Sequence, residues 1–376
     1  MDRCLILIVE DDKEAIDSWK RDIVDFNDEH EVKFDAQYAS TRDDAIRALD
    51  RTRYNCAVVD LRLPSVAAES GEPSKEGGNS ILEKIVIEAG IPAVVYSAHS
   101  SEASELVQRS NIQVRSKKGG ASIEILEYLA GLVELMAAMD ATRKKIAIES
   151  AKIFNDSIWR RWQTTWCSGI NKEVVAGIIT RQTASHVADR LSLPPMYHHP
   201  DEFYIVPPLH ESRLDTGDLL TDKGDVFVVV TPRCNMANQP LPTHLMLARC
   251  KPMVAEWTKL QQDFAGNAEA KRKASARLRD FAIQNHATST HFIPMCDGNG
   301  PWLVDFRDTR GVESAEIARL IESRFASIAT HFVPNLVQRY AAYLGRIGQP
   351  DIDWQVLREQ VCIPVQLDVD ATMRQS

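Results

Sequence analysis

Four short apolar runs in this chain each end on side chains that can do chemistry. LILIV at 5–9 runs into Glu10, Asp11 and Asp12, and AVV at 57–59 runs into Asp60. AVVY at 93–96 runs into Ser97, and Ile112–Val114 is followed by Lys117 and Lys118. Brought together, these ends make a cluster of three or four acids with one hydroxyl and one ammonium. Such a cluster is costly unless a cation neutralises it, and carboxylate oxygens with water suit Mg2+. An Asp held by a metal and a lysine can take a phosphoryl group, because that transfer needs positioning and charge neutralisation above all. Ser97 and Lys117 would each hold a phosphoryl oxygen, the lysine as a point charge.

The elements that must position these residues alternate between two periods. Leu5–Val9, Val32–Ala39, Ala57–Val59, Pro92–Tyr96 and Ile112–Val114 read as strands. Residues 13–29, Thr41–Leu49, Asn79–Glu88 and about 101–109 read as helices, with Thr41 a cap for the second. Strands alternating with helices at this spacing argue for a parallel sheet covered on both faces. Five strands suit a flavodoxin-like doubly wound α/β unit, in which strands one, three, four and five bring their carboxyl ends to one edge. Asp12 reads as a helix cap or supporting acid. Residues 65–79, SVAAESGEPSKEGGN, interrupt the pattern as a long exposed loop.

At 376 residues the chain is long enough for two domains. Residues 1–130 hold 25 Asp/Glu against 16 Lys/Arg, and the remainder holds 28 of each. The acidic first third and neutral remainder do not support nucleic-acid binding by charge. No apolar run approaches the ~18 residues of a membrane span, and the N-terminus reads as a first strand rather than a signal peptide. The cysteines at 4, 56, 167, 234, 250, 296 and 362 form no CxxC pair. They read as reduced thiols in a cytoplasmic protein.

LILIVEDD, AVVDLRLP, VVYSA and the late lysine, in that order and at these separations, resemble the receiver (CheY-like) domain of two-component response regulators over about residues 1–135. The resemblance implies that Asp60 is the phospho-acceptor, that Glu10 and Asp11 are the acidic pair, and that Asp11 is the more direct Mg2+ ligand. It implies that the backbone carbonyl of Arg62 completes the protein's metal ligands, alongside Asp60. Ser97 matches the switch hydroxyl and Lys117 the salt-bridging lysine, with Lys118 as the alternative. Arg62 and His99 fall where the family tunes the lifetime of the acyl phosphate. The pattern also departs from the family. Gly119 stands after Lys118 where a cis-proline usually follows the site lysine, and Val114 or Arg115 occupies the place of the usual strand-five aromatic. Only 20 residues separate Ser97 from Lys117, so the fourth helix and fifth strand should be short.

Beyond the receiver, Ala121 to about Trp166 reads as the last receiver helix running on into a connecting helix over 136–166, with a break near Asp140 as the alternative. Trp159, Trp162 and Trp166 fall on one helical face, as a packing seam or a dimer contact. Residues 167–376 read as an α+β output domain of unknown type. Gly217–Val230 is a hairpin turning at Asp222–Asp225, and Leu245–Ala248 and Trp302–Phe306 are strands. Residues 253–285 read as one or two helices, and Ser314–Leu344 as a helical stretch broken at Pro334. His244, Cys250, His291 and Cys296 lack the tight pairing of zinc ligands. Cys234, with His244 or His291 as base, lacks a nucleophile elbow. A basic stretch near 269–281 reads as a solvated face.

The sequence thus predicts a response regulator that accepts a phosphoryl group on Asp60, with Mg2+, from a sensor histidine kinase in a phosphorelay. It would be a signalling switch rather than a turnover enzyme, with a homodimer among the options. The output would be an interaction module, a DNA-binding transcriptional regulator, or an effector enzyme in a stress or phage-defence pathway.

Overall fold

A computed structural model of the chain describes residues 3–64, 75–109, 112–117, 121–167, 171–192, 198–237, 243–346 and 352–361. The chain divides into two compact units, Met1–Leu193 and Pro194–Ser376.

The first unit is built on a five-stranded parallel sheet in the order β2-β1-β3-β4-β5. The strands are β1 Arg3–Val9, β2 Lys33–Ala39, β3 Cys56–Val59, β4 Ala93–Ser97 and β5 Gln113–Ser116. The four residues of β3 are all buried because both of its faces are covered. Leu7, Val9, Ala57, Val59 and Val95 face one core, with Ile81 and Leu82. Ile6, Ile8, Cys56, Val58 and Val94 face the other, where Trp19, Ile23 and Phe26 of helix α1 (Lys13–Glu29) meet Ile125, Leu126 and Leu129 of helix α5 (Ala121–Ala130). Each fully buried aliphatic side chain contributes roughly 1.5–3 kcal/mol. Asp12 caps α1 by accepting from the Glu14 N–H, and Thr41 caps α2 (Arg42–Arg51) by accepting from the Asp44 N–H.

The long exposed loop expected over 65–79 is shorter at its far end. Helix α3 begins at Lys75 and runs to Lys84, followed by one wide helical turn, Ile85–Ala89; residues 65–74 lie outside the described residues. The fourth helix is short, as expected: a tight turn over Ser100–Glu102, then α4 at Glu105–Arg109. After α5 the chain breaks at Gly131 and Leu132, not near Asp140, before α6 (Val133–Ile153). Arg143 of α6 donates to the Ala89 carbonyl at 2.8 Å, which ties this helix to the α3 side of the five-stranded sheet. Helical turns continue to Trp166, and the helix Lys172–Leu191 packs back through Val175 against Ile153, Ile158 and Trp166. Of the three tryptophans expected on one face, Trp166 is buried while Trp159 and Trp162 are exposed. Wide helical turns at Phe154–Ile158 and Trp162–Trp166 shift the period and separate them.

The second unit holds a seven-stranded antiparallel sheet in the order β10-β11-β9-β8-β7-β12-β6. Its strands are β6 Tyr204–Ile205, β7 Asp218–Asp222, β8 Asp225–Val229, β9 His244–Pro252, β10 Thr290–Ile293, β11 Trp302–Glu313 and β12 Arg324–Ile328. The β7–β8 hairpin lies where expected. The helical stretch expected over 314–344 is instead a short helix, Ile317–Glu322, then strand β12, then the helix Val333–Leu344 with Pro334 in its first turn. Two helices, Val254–Ala265 and Ala268–Ala282, fill the 253–285 interval. At the sheet's border the Gln284 carboxamide both donates to the Phe292 carbonyl and accepts from the Phe292 N–H, each at 2.8 Å.

Candidate functional site

The carboxyl ends of β1, β3 and β5 lie along one edge of the sheet, with β4 between the last two, and their charged groups converge on the same point. Lys117 Nζ, just past β5, is 2.6 Å from Asp60 Oδ2 and 2.6 Å from Glu10 Oε2. Ligand oxygens of Glu10, Asp11 and Asp60 all lie within 4.8 Å of one another. Glu10 and Asp60 are buried, while Asp11 is partly exposed. A cleft of about 510 Å³ opens over them, lined by Asp11, Asp60, Arg62, Ala98, His99 and Lys117 among others.

Three carboxylates against one ammonium leave the cluster with an excess of negative charge. Burial raises the Glu10 carboxyl above its ordinary value, and the Lys117 hydrogen bond offsets this only in part. Burial also raises Asp11, with the charge of Asp60 adding to it. Burial pulls the Lys117 ammonium down, but its hydrogen bonds to Asp60 and Glu10 outweigh that and hold it above the ordinary value. The donor set is all oxygen, hard and under-neutralised, which fits a divalent cation of the Mg2+ type.

Backbone details hold Asp60 in place. The Asp60 N–H donates to the Val9 carbonyl at 2.9 Å, and the Arg62 N–H donates to Asp60 Oδ1 at 3.3 Å. The Arg62 side chain turns away from Asp60 to a two-point ion pair with Glu102, at 3.1 and 2.6 Å. Asn79 of α3 binds the same turn, donating to the Glu102 carbonyl at 3.1 Å and accepting from the Ser104 N–H at 2.8 Å. Gly78 lies under the loop that follows Asp60, its N–H bonded to the Leu61 carbonyl at 3.0 Å. Sequence reasoning passed over Asn79, Glu102 and Gly78. The glycine pair in KEGGN, a poor opening for a helix, was the available signal for the last.

Of the residues expected here, Glu10, Asp11, Asp60 and Lys117 are brought together. Ser97 ends β4 fully buried, its hydroxyl accepting from the His99 N–H at 3.2 Å, and Ala98 and His99 line the cleft. Lys118 lies outside the described residues. Strand β5 carries no aromatic residue. Tyr96 on β4 packs edge-on against Trp19 instead, with ring centres 5.7 Å apart. In the second unit, His244, Cys250, His291 and Cys296 form no metal-ligand cluster among the described residues.

No family model matches the chain, and no curated protein matches it. Solved structures do. A CheY-like response regulator receiver domain from Methanospirillum hungatei JF-1 is 19% identical, with 36% of this chain and 98% of that chain covered and a TM-score of 0.28. The response regulator TrrA from Thermotoga maritima, in complex with Mg(2+)-BeF, is 16% identical over 35% of this chain and 99% of that one, with a TM-score of 0.27. The receiver domain of the sensor histidine kinase PA1611 from Pseudomonas aeruginosa PAO1, with a magnesium ion in its active site cleft, is 18% identical over 34% and 93%, with a TM-score of 0.26. The first third of this chain resembles a receiver domain. The second unit is outside these likenesses. No described helix is long and apolar enough to cross a membrane.

Proposed function

We propose that the first unit is a phosphoryl-accepting switch and the chain a response regulator, with Asp60 as the acceptor and a sensor histidine kinase as the donor. The observation that carries this is Lys117 bridging Asp60 and Glu10 at 2.6 Å across the ends of three strands. Glu10, Asp11, Asp60 and the Arg62 carbonyl would hold Mg2+, whose chemistry there is to neutralise the transferring phosphoryl oxygens. An Asp60 oxygen attacks phosphorus in line. A P–O bond forms to the carboxylate, the donor's bond to phosphorus breaks, and the departing atom keeps the electron pair. Lys117 then exchanges one of its carboxylate contacts for a phosphoryl oxygen, and Ser97 turns its buried hydroxyl toward the same group. Lys117 is the site lysine in this reading, because its chain reaches the acids directly. The domain boundaries proposed are a receiver over 1–135, connecting helical structure over 136–166 and an output domain over 167–376.

The experiment is phosphate uptake from acetyl phosphate with Mg2+, comparing wild type with Asp60→Asn. Uptake by wild type alone is expected. Equal uptake by both, or by neither, would remove Asp60 from the role.

A further inference from the structure

The second unit contains a cavity of about 430 Å³ that the receiver chemistry does not use. Its volume lies within the roughly 300–1,000 Å³ typical of small-molecule sites. It lies beside border strand β10, between the end of the helix Ala268–Ala282 and the start of the helix Val333–Leu344. Phe203, Phe292 and Phe332 supply aromatic walls, Ile283 an exposed rim, and Asn335 and His291 the polar groups. Phe203 and Phe332 lie with ring centres 4.7 Å apart, their planes tilted by 32°, a preformed aromatic pair.

His291 is the odd member. It is 1% exposed, and neither ring nitrogen has a hydrogen-bond partner among the described residues. A buried polar group left unpaired costs about 1–3 kcal/mol, so this imidazole is an expensive choice for a wall. A phenyl or leucine side chain would fill the same position without that cost. Burial holds the ring well below the ordinary histidine value, at about 3, with Arg339 and His286 adding to the effect. It is therefore neutral, one nitrogen donating and the other accepting.

The surrounding charges choose the ligand's own charge. Arg339, one turn after Asn335, spends its guanidinium on the carbonyls of Gln284, Ala287 and Thr290, and has no carboxylate partner among the described residues. It disfavours a cation beside His291. Glu202 and Asp201 stand at the mouth next to His198 and His199, which pair with them at 2.6 and 3.3 Å. They disfavour an anion on its way in.

We propose that this cavity binds an uncharged, planar aromatic small molecule, its ring lying against the Phe203–Phe332 pair and one hydrogen-bonding group meeting His291. The second unit is then a ligand-sensing module, independent of whether Asp60 takes phosphate.

The test uses the full chain and two fluorescent probes of similar shape, neutral N-phenyl-1-naphthylamine and anionic 1-anilinonaphthalene-8-sulfonate. The neutral probe should bind saturably at one site per chain and at least tenfold more tightly than the anion. Ile283→Trp, at the exposed rim, should abolish its binding, and His291→Phe should weaken it about tenfold while circular dichroism shows the fold intact. Binding that is unsaturable, that survives Ile283→Trp, that is unchanged in His291→Phe, or that favours the anion would overturn the proposal. Asp60→Asn should leave every one of these values unchanged.

Discussion

Gly78 lies directly against the backbone of Asp60: a β-carbon placed on Gly78 would stand 2.3 Å from the Asp60 carbonyl oxygen and 2.5 Å from Leu61 Cα. The loop at Asp60–Leu61 and the start of α3 share one contact surface with no room for a methyl group. Gly78→Ala should therefore displace one of them, at a cost of about 1–3 kcal/mol, the range for overpacking. Thermal unfolding of the first unit measures it. Gly177→Ala is the contrasting case, because its new methyl meets only the flexible Arg181 side chain and a helix interior prefers alanine. A Gly78→Ala chain as stable as wild type would show that the close approach relaxes without strain.

Removing the Lys117 ammonium leaves Glu10 and Asp60 facing each other out of water. Breaking one partner from a buried charge set costs roughly 3–5 kcal/mol. Lys117→Met should lose stability of that order in urea titrations with a chelator at pH 7, and millimolar Mg2+ should restore much of it. Phosphate uptake should fall sharply in the same variant. Unchanged stability with the chelator present would mean that the three acids are not electrostatically coupled to Lys117.

His291 gives the second unit a dependence on pH. Its folded value, about 3, is below the unfolded value near 6.5. The unfolded chain takes up a proton that the folded chain refuses, so the stability is present above pH 6.5 and declines as the pH falls toward 3. At about 1.4 kcal/mol per pH unit for one proton, the loss between pH 6.5 and 5 is about 2 kcal/mol. The groups around the ring act in the same sense: Arg339 repels the proton, and His286 is itself held low by burial. His291→Phe should flatten the second unit's denaturation midpoint over this window by about that amount. A slope identical to wild type would sink the assignment.

The first unit was legible because its chemistry sits at chain positions that periodicity finds. A strand buried on both faces shows as a continuous apolar run, so the residue that ends it is marked in the sequence. That logic found Glu10, Asp11, Asp60 and Lys117. It could not find Asn79 or Glu102, whose roles depend on a turn meeting a helix from elsewhere in the chain. Gly131 passed unremarked within a helical pattern, and the chain breaks there. In the second unit, β12 was hidden inside 314–344 because RFASI, flanked by helix-forming residues, alternates too briefly to read as a strand. Strand β10 was missed for the same reason of length, and with it the cavity beside His291. Tertiary pairing, not local propensity, makes strands of these segments.

The Gln284 carboxamide at β10 has a consequence for how this protein meets others. A sheet border normally offers unsatisfied peptide groups that another extended chain can join. Here one side chain occupies the Phe292 peptide groups as a neighbouring strand would, and at the opposite border β6 is only two residues long. Among the described residues, both borders of this sheet thus leave little free backbone for another extended chain to join, which favours association through side-chain surfaces.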